Sequence, residues 1–337
     1  MIEPGMKVGV VGATGAVGRE FLRLFEQRGF PVSELRLLAS SRSAGITLEF
    51  KGQPVQIVEA TEESVKGLDV VFFSAGSGTS KRLAPAAASS GALVVDNSSA
   101  FRMDPAVPLV VPEVNLGDVK PENRIIANPN CVAIILLVAI APLRALGKIE
   151  RLIVSTYQSA SGAGAAAMAE LENQTRDVLE GRDAVPEVLP HPYAFNLFSH
   201  NTAVNEHGWN DEEWKVLHES RKILSMPELK MNVTCVRVPV LRAHSESVTV
   251  EFEGAAPSEE AVRSLLGSSA GVRIVDDRAG NYFPMPLDAA GQDDVLVGRI
   301  RQDLSNPNAI SLFIAGDQLL KGAALNAVQI AEKLLVK

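Results

Sequence analysis

The 337-residue sequence has only two cysteines, Cys131 and Cys235, and no basic excess: 32 Lys and Arg stand against 40 Asp and Glu, a formal net charge of −8. Two thiols cannot build a disulfide framework. A chain of this sign lacks the basic face by which nucleic-acid binders displace counterions from phosphates. Long hydrophobic runs are missing too. The longest, residues 131–143 (CVAIILLVAIAPL), carries Pro142 near its end and is too short for the about 30 Å of a bilayer's hydrocarbon, so it reads as a buried helix and no membrane span is expected. The opening residues show no basic stretch followed by an apolar one, which argues against a secretory leader and, with so few cysteines, for the reducing cytoplasm. No internal repeat or low-complexity tract is seen. His191, His200, His207 and His218 lack the paired spacing of a metal site; they read as structural, and no metal is expected.

What is present is 46% apolar residues over a length that exceeds one usual core, hence two packed domains. In the first third, residues 7–11, 35–39, 69–74, 93–96, 109–111 and 124–127 are apolar runs without period-two alternation, the pattern of strands buried on both faces of a parallel sheet. Helical spacing at 19–28 and 81–90 gives the β-α-β rhythm of a Rossmann-like, doubly wound α/β domain. From about residue 152 the pattern changes. Val248, Val250 and Phe252 alternate with Thr249, Glu251 and Glu253, so a mixed or antiparallel sheet with one wet face follows, and the second domain is α+β. Helices are expected at 165–180, stopped by Gly181, and at 211–224, where Asn210 caps and Glu213 completes a capping box. Residues 181–209 hold Pro186, Pro190 and Pro192 and little periodicity, a long connection that covers something or reaches a partner subunit. An amphipathic helix at 319–336 is placed to return onto the first domain.

Gly12, Gly15 and Gly18 follow a Val-rich strand and open a helix. Backbone N–H groups of Gly12, Thr14, Gly15, Ala16 and Val17 can then approach a pyrophosphate at the helix N-terminus. The spacing is one residue longer than the usual dinucleotide fingerprint, and a tight strand–helix turn would also call for glycines. Where an NAD site usually has an acidic residue for the ribose, this chain has Ser40, Ser41, Arg42 and Ser43; hydroxyls and a guanidinium suit the 2′-phosphate of NADP, although a solvated Ser-Arg turn has the same residues.

Asn130 precedes Cys131, which sits at the positive end of the expected apolar helix, a position that favours thiolate. Cys235 lies inside the strand-like run 233–240 and reads as a small core hydrophobe. A thiolate nucleophile needs an acid/base partner, and His244, in a loop expected after RVPVLRAHSE, has the best local context of the five histidines.

The strings GATGAVG, SSRSAG, SSAFR, NPNC, QSASGAG, EEWK, RVPVLRAHSE and GDQLLKGAA, in this order over nearly the whole chain, resemble the aspartate-β-semialdehyde dehydrogenases. The resemblance implies an NADP-binding domain of residues 1–127 and 317–337 and a catalytic and dimerisation domain of residues 128–316, assembled as a homodimer. It implies Cys131 as nucleophile, His244 as acid/base and Gln158 as an orienting residue. Asn130, Arg237, Glu212, Lys215 and Arg102 would bind substrate. Arg237 would grip the α-carboxylate as a bidentate fork, Glu212 would lie near the amine, and Lys215 and Arg102 would hold the phosphate. Glu212 and Lys215 also fit an exposed helical pair, and Arg102 a solvated charge. Ser161, Gly162 and Gln318 would complete the cofactor contacts. The substrates implied are aspartyl 4-phosphate, aspartate semialdehyde and phosphate, in the biosynthesis of lysine, threonine, methionine and diaminopimelate. The chain departs from the family at Leu197-Phe198-Ser199, where an Ile-Pro step is common. Other acyl-phosphate or thioester reductases, such as N-acetylglutamyl-phosphate reductase or malonyl-CoA reductase, share the Cys and His logic. A non-catalytic dinucleotide-binding regulator would be expected to lack one of the two.

Overall fold

The computed structural model describes residues 5–336; residues 1–4, on which part of the expectation about a leader rests, and residue 337 lie outside the described residues. Two compact units form, residues 1–130 with 323–337 and residues 131–322. Both divides fall a few residues later than the sequence suggests.

In the first unit, β1 (Met6–Val11), β2 (Val32–Ala39), β3 (Thr47–Phe50), β4 (Gln53–Glu59), β5 (Val70–Phe73), β6 (Leu93–Asp96) and β7 (Ile125–Ala127) make one sheet in the order β3-β4-β2-β1-β5-β6-β7. Every neighbouring pair is parallel except the edge hairpin β3–β4. β5 and β6 are buried along their whole length, as strands covered on both faces must be. Helix α1 (Ala16–Gln27) lays Phe21 and Phe25 on Phe72, with ring centroids 4.9 and 5.3 Å apart, and Phe30 stacks 5.1 Å from Phe25. Helix α2 (Ser77–Ser89) begins earlier than its apolar spacing suggests.

Two strand expectations change. The hairpin β3–β4 has no clear signal in its mixed, exposed residues, and the strand expected at 109–111 is reduced to a single bridge between Leu109 and Ala127. Pro108 and Pro112 bracket that segment; each lacks an N–H and fixes φ, so no longer ladder can form. The C-terminal helix, Leu325–Leu335, does return onto the first unit. Glu332 pairs with Arg28 (2.8 Å), and Asn326 Nδ2 donates to Val110 O (2.9 Å) and Asn128 Oδ1 (2.7 Å).

The second unit holds a mixed sheet of β8 (Ile149–Gln158), β9 (Phe198–Ser199), β10 (Lys230–Arg237), β11 (His244–Phe252), β12 (Val272–Ile274), β13 (Val295–Gln302) and β14 (Ala309–Gly316), in the order β12-β13-β14-β11-β8-β10-β9. Helix α3 (Cys131–Ile140) is buried at every position after Cys131 and ends in a 3-10 turn containing Pro142. No described helix is long and apolar enough to cross a membrane. Helix α4 (Ala165–Leu179) stops just before Gly181, and α5 (Asp211–Ile223) starts with the full Asn210–Glu213 capping box. The connection 181–209 is held onto α4: Glu170 accepts from the amides of Glu187, Val188 and Leu189, Gln174 Oε1 accepts from those of Tyr193 and Ala194, and Leu189 and Tyr193 pack with Ala167 and Leu171. On β11 the alternation is as expected, with Val248, Val250 and Phe252 buried and Ser247, Thr249 and Glu251 half-buried.

Because Phe72 joins three other rings in one cluster, Phe72→Ala is expected to destabilise the chain by about 3–5 kcal/mol. Urea unfolding followed by circular dichroism measures this; a loss below about 1 kcal/mol would show that the cluster closes around the gap.

Candidate active site

Three adjacent strands bring the sequence-derived residues of the second unit to one end of the sheet. Gln158 and Arg237 end the parallel neighbours β8 and β10 and are partners in register, and His244 starts the antiparallel β11. His244 is therefore a strand residue rather than the loop residue expected. The turn before it is carried by Ala243, whose φ is 73°. Its Nε2 lies 3.6 Å from Cys131 Sγ, at the first residue of α3.

The other ring nitrogen defines the protonation state. Nδ1 accepts the Ser159 backbone N–H (3.1 Å) and lies 3.0 Å from Ser159 Oγ. An amide nitrogen only donates, so the neutral ring has its lone pair at Nδ1 and its hydrogen on Nε2, toward the sulfur. Burial, and then the nearby Arg237 guanidinium, push the His244 pKa down to about 3, and the ring is neutral near pH 7. Ser159 is tied to its neighbours: its hydroxyl is 3.1 Å from Ser161 Oγ, Gln318 Nε2 donates to Ser161 Oγ, and Gln318 Oε1 accepts from the Ala243 amide (2.9 Å). A Cβ at Gly162 would sit 2.9 Å from His244 Cε1, so glycine there lets the loop lie against the imidazole. Ser161, Gly162 and Gln318, expected to touch the cofactor, thus surround His244.

Gln158 is fixed at both ends of its amide. Oε1 accepts from Thr156 Oγ1 (3.2 Å), and Nε2 donates to Glu212 Oε1 (3.1 Å). Glu212 is buried and faces Lys215 at 3.7 Å, one turn along α5, where Lys215 is partly exposed. Arg237 is only 5% exposed. It donates to His200 Nε2 (2.8 Å) and more weakly to Ser159 O (3.4 Å), its Nε has no partner, and among the described residues no carboxylate pairs with it. Cys235 is buried on β10 beside Thr156, and burial raises its thiol pKa, as befits a core residue.

In the first unit the glycine loop borders a cleft of about 420 Å³ lined by Gly12, Thr14, Gly15, Ser40, Ser41 and Arg82 among others. Gly12 has a φ of 88°, and a Cβ there would meet Ser74 O at 2.7 Å; a Cβ at Gly18 would strike Gly12 O at 2.3 Å. Gly15 is the N-cap of α1 and offers no side-chain cap, so the N–H groups at Ala16 and Val17 are not capped by a side chain from that position. Arg42 and Ser43 lie one step along, on the 3-10 turn Ser41–Ser43, and Arg42 is exposed. Arg102 is buried, donating to Asn128 O (2.9 Å) and Asn97 O (2.7 Å); the strand-end Asp96 orders that loop by accepting from Ser80, Ser98 N and Ser98 Oγ. Asn130 is buried next to Cys131 in the chain.

Sequence reasoning missed His200, Ser159 and Arg82. Ser159 lies within QSASGAG but acts through its backbone, which side-chain identity does not report. His200 lacks the paired spacing of a metal ligand and so reads as structural in the sequence; its contact with Arg237 depends on a two-residue strand.

His200, like His244, is held neutral: burial, then Arg237 and Lys215, outweigh Glu212 and bring its pKa to about 4. Below the unperturbed value of 6.5 the unfolded chain binds protons that the folded chain does not, so stability is lost as pH falls from about 6.5 toward 4. The expected slope is about 1.4 kcal/mol per pH unit for each histidine. Urea midpoints from pH 7 to 4.5 measure it, and His200→Gln should flatten the curve; an unchanged slope would show that His200 titrates normally in the fold.

Residues 7–121 match the family described as "Semialdehyde dehydrogenase, NAD binding domain", and residues 140–321 match "Semialdehyde dehydrogenase, dimerisation domain". The aspartate-semialdehyde dehydrogenase of Synechocystis sp. is 54% identical over 330 residues, covering 98% of this chain and 97% of the relative. The crystal structure of aspartate semialdehyde dehydrogenase II from Vibrio cholerae complexed with ASA is 42% identical, with a TM-score of 0.94 over 98% of both chains. The Candida albicans enzyme with NADP is 25% identical, with a TM-score of 0.75 over 98% of both chains. This chain belongs to the aspartate-semialdehyde dehydrogenase family.

Proposed function

We propose that this chain interconverts L-aspartyl 4-phosphate and L-aspartate 4-semialdehyde with NADP as cofactor, through a thioester on Cys131, as a cytoplasmic homodimer assembled through its second unit. The observation that carries the reading is the buried Arg237 guanidinium with no carboxylate partner among the described residues, in the same cluster as a thiol and a neutral imidazole 3.6 Å apart. A buried cation without an anion costs several kcal/mol, and a substrate α-carboxylate supplies that anion as a two-oxygen acceptor. Arg237 Nε has no hydrogen-bond partner among the described residues.

Cys131 attacks C4 of the acyl phosphate; the C–S bond forms, and phosphate leaves with the electrons of the broken C–O bond. Lys215 offers the leaving phosphate a cation, Glu212 faces the substrate amine, and Gln158, fixed by Thr156 and Glu212, orients the acyl group. Arg102 and Asn130 are proposed as further substrate contacts. His244 holds a hydrogen at Nε2 for the oxygen of the tetrahedral adduct, general acid/base help of about 10²–10⁴-fold. When the adduct collapses, the C–S bond breaks and the sulfur returns as thiolate, steadied by the start of α3. Bound NADPH supplies hydride to the thioester carbon. The glycine loop fits a pyrophosphate because a Cβ at Gly12 or Gly18 has no room and Gly15 leaves the start of α1 without a side-chain cap. Ser40, Ser41 and the nearby Arg42 and Ser43 are proposed for the 2′-phosphate, with Ser161, Gly162 and Gln318 as further cofactor contacts. N-acetylglutamyl phosphate is a poorer candidate substrate: its acetylated nitrogen lacks the charge that Glu212 would pair with.

In an assay of aspartate semialdehyde, phosphate and NADP, Cys131→Ser is expected to lower kcat by at least about 10³-fold while NADP binding, followed by fluorescence titration, survives. Near-normal turnover would remove the thioester. The KM for NADP should lie well below that for NAD; equal or better use of NAD would overturn the roles given to Ser40, Arg42 and Ser43.

A further inference from the structure

The backbone sets His200 beside Arg237. β9 pairs antiparallel with the end of β10, Phe198 opposite Arg237 and Ser199 opposite Val236, and the His200 amide then donates to Cys235 O at 2.8 Å. The imidazole is buried, with Nε2 2.8 Å from Arg237 Nη2. A guanidinium has only donors, so Nε2 is the acceptor and the ring hydrogen sits on Nδ1. Thr202 Oγ1, 3.3 Å from Nδ1, takes that hydrogen and also accepts the Glu212 amide (3.2 Å). The chain Arg237–His200–Thr202 thus ends on the first turn of α5, which carries Glu212 and Lys215.

An acceptor is needed here because a buried guanidinium with a single 3.4 Å bond to Ser159 O is free to swing. A carboxylate acceptor would hold it but cancel its charge. A neutral imidazole fixes the direction of the fork and leaves the charge intact for an incoming anion.

We propose that His200 is a positioning residue for Arg237: it orients the guanidinium toward the substrate α-carboxylate and so governs binding of the amino-acid end rather than chemistry at C4. This rests on the reading of Arg237 as the carboxylate grip. It assigns a role to the two-residue strand β9, built from Phe198 and Ser199.

The test compares full-length wild type, His200→Leu, His200→Gln, His200→Asp and Arg237→Leu. Each is assayed with phosphate and NADP on aspartate semialdehyde and on 3-aminopropanal, the same amino aldehyde without the carboxylate. His200→Leu is expected to raise KM for aspartate semialdehyde about tenfold, with kcat little changed and kcat/KM for 3-aminopropanal unchanged. His200→Gln, which keeps an acceptor, should recover most of the loss, and His200→Asp, which holds but neutralises the guanidinium, should be worse than Gln. If Arg237→Leu raises KM while His200→Leu does not, or if His200→Leu harms both aldehydes equally, the positioning role is overturned and the carboxylate grip stands. If Arg237→Leu leaves KM for aspartate semialdehyde unchanged, the grip itself fails, and the role of His200 fails with it.

Discussion

One positive charge organises the second unit. Arg237 is buried at the end of β10 with no carboxylate within ion-pair distance among the described residues, and its field adds to burial in favouring the neutral forms of both buried histidines. A neutral His244 has a single ring hydrogen, and the Ser159 amide at Nδ1 directs that hydrogen to Nε2 and the sulfur. The neutral state of His244 therefore follows from burial first and from a nearby cation second. The same charge, left uncompensated by the protein, is what gives a small dicarboxylic derivative a reason to bind.

Such a cluster needs a sheet. Gln158 lies far in sequence from Arg237 and His244, yet the order β11-β8-β10 and a parallel register of β8 with β10 set the three side by side. The alternation of strand side chains does the rest: Thr156 and Gln158 share a face, and a hydroxyl two residues back fixes the amide. In the first unit a different constraint serves the same end. The turn Asn128-Pro129-Asn130 is tied by Asn128 to Asn97 and by Asn326 to the C-terminal helix, all within that unit.

Much of this was legible in the residues because it depends on local rules. Buried parallel strands show as uninterrupted apolar runs, the Asn210–Glu213 box marks the start of α5, and Gly12 and Gly18 stand where a Cβ has no room. What escaped has a weak local signal or depends on strand pairing. The β3–β4 hairpin is mixed and exposed, residues 109–111 look like a strand until flanking prolines are counted, and His244 reads as a loop residue until β11 is paired with β14 and β8. His200 shows the limit most plainly: its role depends on a two-residue strand, shorter than any periodicity can reveal.

The two thiols of the second unit show why placement rather than residue type assigns the nucleophile. Cys235 lies in the interior of β10; burial, helped by the fields of Glu212, Glu213 and Glu246, outweighs the Thr156 hydrogen bond, which favours thiolate, and keeps the proton on sulfur. Cys131 is partly exposed, opens a helix whose N-terminus favours negative charge, and faces an Nε2–H donor that stabilises sulfur as an anion. Exchange of their surroundings would exchange their chemistry. Under the function proposed above, a thiolate is best placed where α3 begins, at Cys131 itself: positions one turn further in, among Ile134, Ile135 and Leu136, are buried as Cys235 is.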